Sequence, residues 1–216
     1  MALTLEIFPL ARNELPLENR RRLTNGLRAT RGDARGLRLT GLRSQGFGRP
    51  RSRLLRVSSD DALRALLSKL LDWEDAHIAF DAAVEGIPPE SRGSRPEGAP
   101  HSPWQLLEHM RICQGDILEF CRNPAYVELK FEDYWPLTVA PPTAASWDES
   151  IAAFRRDRDA LKELAADRSV DLFAAIPHGT GQTCLRELVL VADHNAYHVG
   201  QLVLLRRLLG VWPQSE

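Results

Sequence analysis

"TCLRELVLVADHNAYHVGQLVLLRRLLG", residues 183–210, decides the fold. Apolar residues run through it at helical spacing, and Gly210 and Pro213 close it, so it reads as one long helix. The face holding Val191, Leu202 and Leu205 should be core, yet it also carries Glu187, His194, His198 and Gln201. Histidines four positions apart on a helix lie one above the other, about 6 Å apart, so both imidazoles can turn toward one ion. Two inward histidines can equally be core groups with buried partners, and the pair alone leaves both readings open.

The segments upstream supply helices for this one to pack on. "SSDDALRALLSKLLDWEDAHIAFDAAVEG" (58–86) predicts a single helix with Leu63, Leu66, Leu67, Leu70, His77 and Phe80 inward. "HSPWQLLEHMRICQGDILEFCRN" (101–123) predicts a second, with Ser102 as N-cap and Pro103 as its first residue. Residues 124–145 form a long connection containing "FEDYWPLTVAPP". "SWDESIAAFRRDRDALKELAAD" (146–167) predicts a third helix opened by a Ser146/Glu149 capping box. "VDLFAAIPHGTGQ" (170–182) reads as an extended piece and a turn. The expected fold is all-α, a four-helix bundle with long crossover loops over residues 58–216.

His109 shares its helical face with Leu106, Ile112, Cys113, Asp116 and Phe120, so it too points inward. His109, His194 and His198 would then make a three-histidine site with positions left open, the pattern of a reactive rather than a closed metal site. Zinc, nickel, iron and manganese all accept such ligands. Asp116 is expected to hydrogen-bond the second nitrogen of a ligand, or to be solvated. His77, with Glu74 one turn earlier, either lines the site or packs as an ordinary ion pair. Glu187, Asp116 and His77 are candidates to tune the site or relay protons, and His77 is also a candidate fourth ligand. His178 reads as a loop histidine, His101 as structural, and Cys113 as a small buried hydrophobe.

The net charge of −1 hides a division. Residues 1–57 carry 13 Arg, no Lys and four acids, a balance of +9, while the rest holds 15 basic and 25 acidic groups, a balance of −10. The first part shows no helical or strand period. It is expected to be an Arg-rich, low-order extension, of the kind a misplaced start codon would add. Its only aromatics are Phe8 and Phe47, so it lacks interleaved stacking groups for nucleic acid, and the acidic body is an unfavourable partner for one. Three cysteines without CxxC spacing fit a reducing cytoplasm, and no apolar run is long enough to span a membrane.

"SPWQLLEHMRICQGDILEFCRNPAYVELKFEDYW" (102–135) and "GQTCLRELVLVADHNAYHVGQLVLLRRLLG" (181–210) resemble the DinB-like (DinB/YfiT) superfamily of metalloenzymes. The likeness runs over about residues 59–213. It implies an up-down-down-up bundle, a divalent metal on His109, His194 and His198, often nickel or zinc, and a homodimer. Characterised members include thiol-dependent S-transferases and a mycothiol-dependent isomerase. The expected activity is therefore a metal-dependent hydrolase or S-transferase reaction on a small-molecule substrate. The nucleophile would be an activated water or a low-molecular-weight thiol. The alternative is a non-catalytic, stress-response bundle in which the ion only orders the fold.

Overall fold

The computed structural model describes residues 57–72 and 75–213; the Arg-rich segment 1–56 and the Glu74 side chain lie outside them. Five helices follow in order: α1 (Ser59–Leu70), α2 (Phe80–Val84), α3 (Pro103–Arg122), α4 (Ser146–Ala166) and α5 (Cys184–Leu208). Among the described residues there is no strand, only an isolated antiparallel bridge between Ala175 and Thr183. None of these helices is long and apolar enough to cross a membrane.

The cross-contacts give the helix directions. Asp61 meets Arg168, Arg64 meets the carbonyl of Ala165, and Asp72 meets Arg158, so α1 and α4 are antiparallel. Ser150 meets Glu108 and Phe154 meets Gln114, so α4 runs parallel to α3. His109 meets His194 while Phe120 meets His178, just ahead of α5, so α5 is antiparallel to α3. Taken together these contacts make an up-down-down-up bundle.

Parallel neighbours need a return path. A helix the length of α3 rises about 30 Å, which the chain must cover again before α4 can start beside it. Residues 124–145 do this by running back along α3. Tyr126 and Tyr134 reach Asp116, Trp104 donates its Nε1–H to Thr138 at 3.0 Å, and Ser102 donates to the carbonyl of Val139.

The predicted first helix is two. A continuous helix would place Asp72 and Asp81 on opposite faces, about 13 Å apart along the axis. Instead the chain breaks between Leu70 and Phe80, and both carboxylates meet Arg158, at 3.0 Å each. Lys162 also pairs with Asp72, and Arg155 with Asp81 at 2.6 Å. The bend lets Phe80 stack on Phe154 with ring centroids 3.7 Å apart. It also leaves His77 exposed, its Nδ1 2.9 Å from the carbonyl of Ile78.

The buried face of α1 differs from the expected one as well: Leu67 is buried, Leu66 is 51% exposed, and Arg64 is buried. Arg64 donates to the carbonyls of Ala165, Asp167 and Val170 at 2.7–3.0 Å. Ala165 and Asp167 belong to the C-terminal end of α4, where carbonyls have no helical partner, and Val170 to the turn after it. Arg206 does the same for α2, donating to the carbonyls of Ala82 and Ala83. Ser102 caps α3 as expected and completes a capping box with Gln105, Thr183 caps α5, and Gly210 ends α5 at φ +71°. Ser146 does not cap α4, because its hydroxyl is engaged with Thr143. Arg64→Leu removes three charge-assisted bonds and strands buried carbonyls, so it should cost about 3 kcal/mol of stability, read as a lowered urea midpoint.

Candidate metal centre

The apolar core is split in two. One cluster includes Trp104, Leu107, Met110, Trp147, Phe154, Val199 and Leu202. The other includes Ile117, Phe120, Leu161, Leu188 and Val191. Between Met110 and Ile117 on α3, and between Val191 and Val199 on α5, lies a polar layer. Gln114, fully buried, donates to the carbonyl of Phe154 at 2.7 Å and accepts from Asn195 at 3.0 Å, tying α3 to both neighbours. Beside it sit the histidines.

His109, at the edge of this layer just before Met110, and His194 point their Nε2 atoms at each other, 3.1 Å apart. The His198 ring centroid lies 4.7 Å from that of His109 and 4.5 Å from that of His194. The Nδ1 of His109 donates to the carbonyl of Tyr134 at 2.7 Å, and a carbonyl can only accept, so the proton resides on Nδ1 and Nε2 keeps its lone pair. His198 is oriented alike, its Nδ1 held 2.8 Å from Oε1 of Gln201. His194 Nδ1 is buried without a hydrogen-bond partner among the described residues. Cys113 completes the group: its Sγ is 3.5 Å from His109 Nδ1 and 3.8 Å from Nε2. Among the described residues, His109, Cys113 and His194 are the one His/Cys/Asp/Glu group whose donor atoms lie close enough to share an ion.

This donor set suits a divalent metal. Two nitrogens on a tetrahedral ion at about 2.0 Å stand roughly 3.3 Å apart, close to the 3.1 Å observed. Two imidazoles bare their Nε2 because a carbonyl oxygen occupies the other nitrogen, the usual outer arrangement of ligating histidines. The floor of the site, His109, Cys113 and His198, is buried, while His194 is half-buried.

Trp135 forms the wall. Its ring stacks on His109 at 3.8 Å and 3° on one side and on His101 at 3.8 Å and 14° on the other. His101 is thus part of the site's surroundings, although Ser102 beside it acts as a cap. Neither Tyr134 nor Trp135 stood out in the sequence, beyond being apolar rings in a proline-rich connection. Asp116 accepts from the hydroxyls of Tyr126 at 2.7 Å and Tyr134 at 2.8 Å, and the Tyr134 carbonyl in turn holds His109. Glu187 is buried a helical stretch away, its carboxylate 2.6 Å from Arg186. His77 lines a cleft with Leu70, Asp72, Phe80 and Asp193, apart from the histidine group. His178 bonds the carbonyl of Phe120 at 2.8 Å.

A family model for the DinB superfamily matches residues 72–202. The chain belongs to the DinB superfamily. No curated protein and no solved structure matched it. The match takes in α2 to most of α5, and with them all three histidines and the crossover.

Burial holds the imidazoles neutral, lowering His109 from the ordinary 6.5 to about 4 and His194 to about 3, with neighbouring histidines adding to both. Burial lowers His198 as well. Between pH 6.5 and about 4 the unfolded chain binds protons that the folded chain refuses. The stability these groups contribute is therefore complete above pH 6.5 and is lost as pH falls through that window. Urea unfolding of the metal-free protein should show a loss of roughly 5 kcal/mol between pH 7 and pH 4.5, and His194→Gln should lose about half of that.

Proposed function

We propose that the chain is a divalent-metal-dependent enzyme whose ion is held by His109, His194 and His198, acting on a small molecule as a hydrolase or a thiol-dependent S-transferase. The observation that carries this reading is the 3.1 Å approach of two Nε2 atoms, one of them bared by a carbonyl bond to Nδ1. Its chemistry, when the ion is bound, is Lewis acidity that turns a water or a low-molecular-weight thiol into a nucleophile near neutral pH.

The chain's own residues prepare that chemistry. The Tyr134 carbonyl and Gln201 set the two imidazoles, and Asp116 anchors the Tyr134 ring so that its carbonyl stays in place. Trp135 stacks on His109, the two apolar clusters flank the layer, and His194 is the half-buried member of the group. A ligand with an exposed edge supports the catalytic reading over the non-catalytic alternative. His198 is preferred to Cys113 as third ligand, because the Cys113 sulfur lies nearer Nδ1 of His109 than the Nε2 that faces His194.

Metal analysis of protein purified without a histidine tag tests the site. His109→Ala and His194→Ala should each lose the ion, whereas Cys113→Ala and His178→Ala should keep it. Full occupancy in both of the first two variants would end the reading. Turnover in a screen of small thiols with electrophilic substrates, absent in His194→Ala, separates enzyme from metal-ordered bundle.

We further propose a homodimer through α5. Its outer face exposes Val189, Tyr197, Gly200, Leu204 and Leu208, so the helix is apolar on both sides. A two-fold axis at Gly200 would set exposed Asp193 against Arg207 of the partner subunit, pairing opposite charges at both ends of the stripe. Light scattering should show a dimer for the native chain and a monomer for Leu204→Glu.

A further inference from the structure

Cys113 belongs to the histidine group; the other two cysteines form a site of their own. Cys184 is the first residue of α5, directly after the Thr183 cap, and Cys121 lies in the last turn of α3. The antiparallel packing of α3 on α5 brings these ends together. Both cysteines pack with the same apolar cluster, and His178, just ahead of α5, bonds the carbonyl of Phe120 beside Cys121 at 2.8 Å. All three cysteines are thiols.

The two sulfurs are not equivalent. Hydrogen bonding by Cys121 draws the Cys184 thiol down to about 7 against burial and the Glu187 carboxylate, while Cys113 is pushed up. The first turn of a helix also favours an anionic sulfur. Cys184 is buried and Cys121 half-buried, so small oxidants have better access than bulky ones.

We propose that Cys121 and Cys184 are a peroxide-reactive dithiol that closes to a disulfide and fastens the base of α5 to the end of α3. The Cys184 thiolate attacks one oxygen of a hydroperoxide. An S–O bond forms, the O–O bond breaks, and the departing oxygen takes a proton to leave as water or an alcohol. The Cys121 sulfur then attacks the Cys184 sulfur, its proton leaving with the hydroxyl as water. Two thiols lose two electrons in total, and the hydroperoxide gains them. The closed loop contains the whole crossover and α4, and its two ends lie on the helices that carry the histidines.

The test treats the full chain with hydrogen peroxide, quenches with catalase, and follows thiol count, peptide masses and a non-reducing denaturing gel. Expected are the loss of two thiols per chain, a linked Cys121–Cys184 peptide reversed by dithiothreitol, a Cys113 that still alkylates, and a monomeric band. Cys121→Ala should instead trap a Cys184 sulfenic acid with dimedone, about tenfold more slowly because the donor is gone. An interchain disulfide, oxidation of Cys113 first, irreversible over-oxidation of Cys184 without a linked peptide, or survival of all three thiols where N-acetylcysteine is consumed would each overturn the proposal.

Discussion

The hydrogen bond from His109 Nδ1 to the Tyr134 carbonyl joins the two halves of the structure's logic. On one side it sets a tautomer and so decides which nitrogen of His109 faces the other histidines. On the other it fastens the crossover to the helix it runs along. That crossover exists because α4 lies parallel to α3, and a parallel neighbour obliges the chain to travel back the full length of a helix. The path passes over the layer where α3 turns polar, and Trp135 is laid flat on His109 as a result. Topology thus provides the site with a wall in Trp135, and the carbonyl of Tyr134 beside it sets the His109 tautomer.

A polar layer across a bundle is costly unless each group in it is satisfied. Here Gln114, Asn195, Asp116 and the two tyrosines form bonds that also tie α3 to α4, α5 and the crossover. The apolar clusters on either side carry the burial. Among the described residues of this layer, Nδ1 of His194 and Oδ1 of Asn195 are buried without a hydrogen-bond partner. Unsatisfied groups of this kind gather at sites that serve something other than stability.

Two arginines do comparable work at the ends. Arg64 and Arg206 each take up helix-terminal carbonyls that would otherwise be stranded. Neither was legible as core, because an arginine in an amphipathic pattern normally marks the solvent face, and only the neighbouring helix end reveals what it pairs with. The break after Leu70 was hidden for the same reason. No glycine or proline announces it. It follows from Asp72 and Asp81 both reaching Arg158, a choice made on α4.

Local sequence by itself determined the helices with strong caps and long apolar periods, α3 and α5, and it determined that His109, His194 and His198 face inward. Those features depend on spacing along one element, and helical geometry converts spacing into direction without reference to anything else. Only the tertiary structure decided that Cys113 stands among the histidines, that Asp116 serves Tyr134 instead of a ligand, that Glu187 and His77 lie elsewhere, and that Trp135 closes the site. Each of these turns on which segment comes to rest beside another. That depends on the direction of α4 and the course of an irregular connection, and no periodicity records either one.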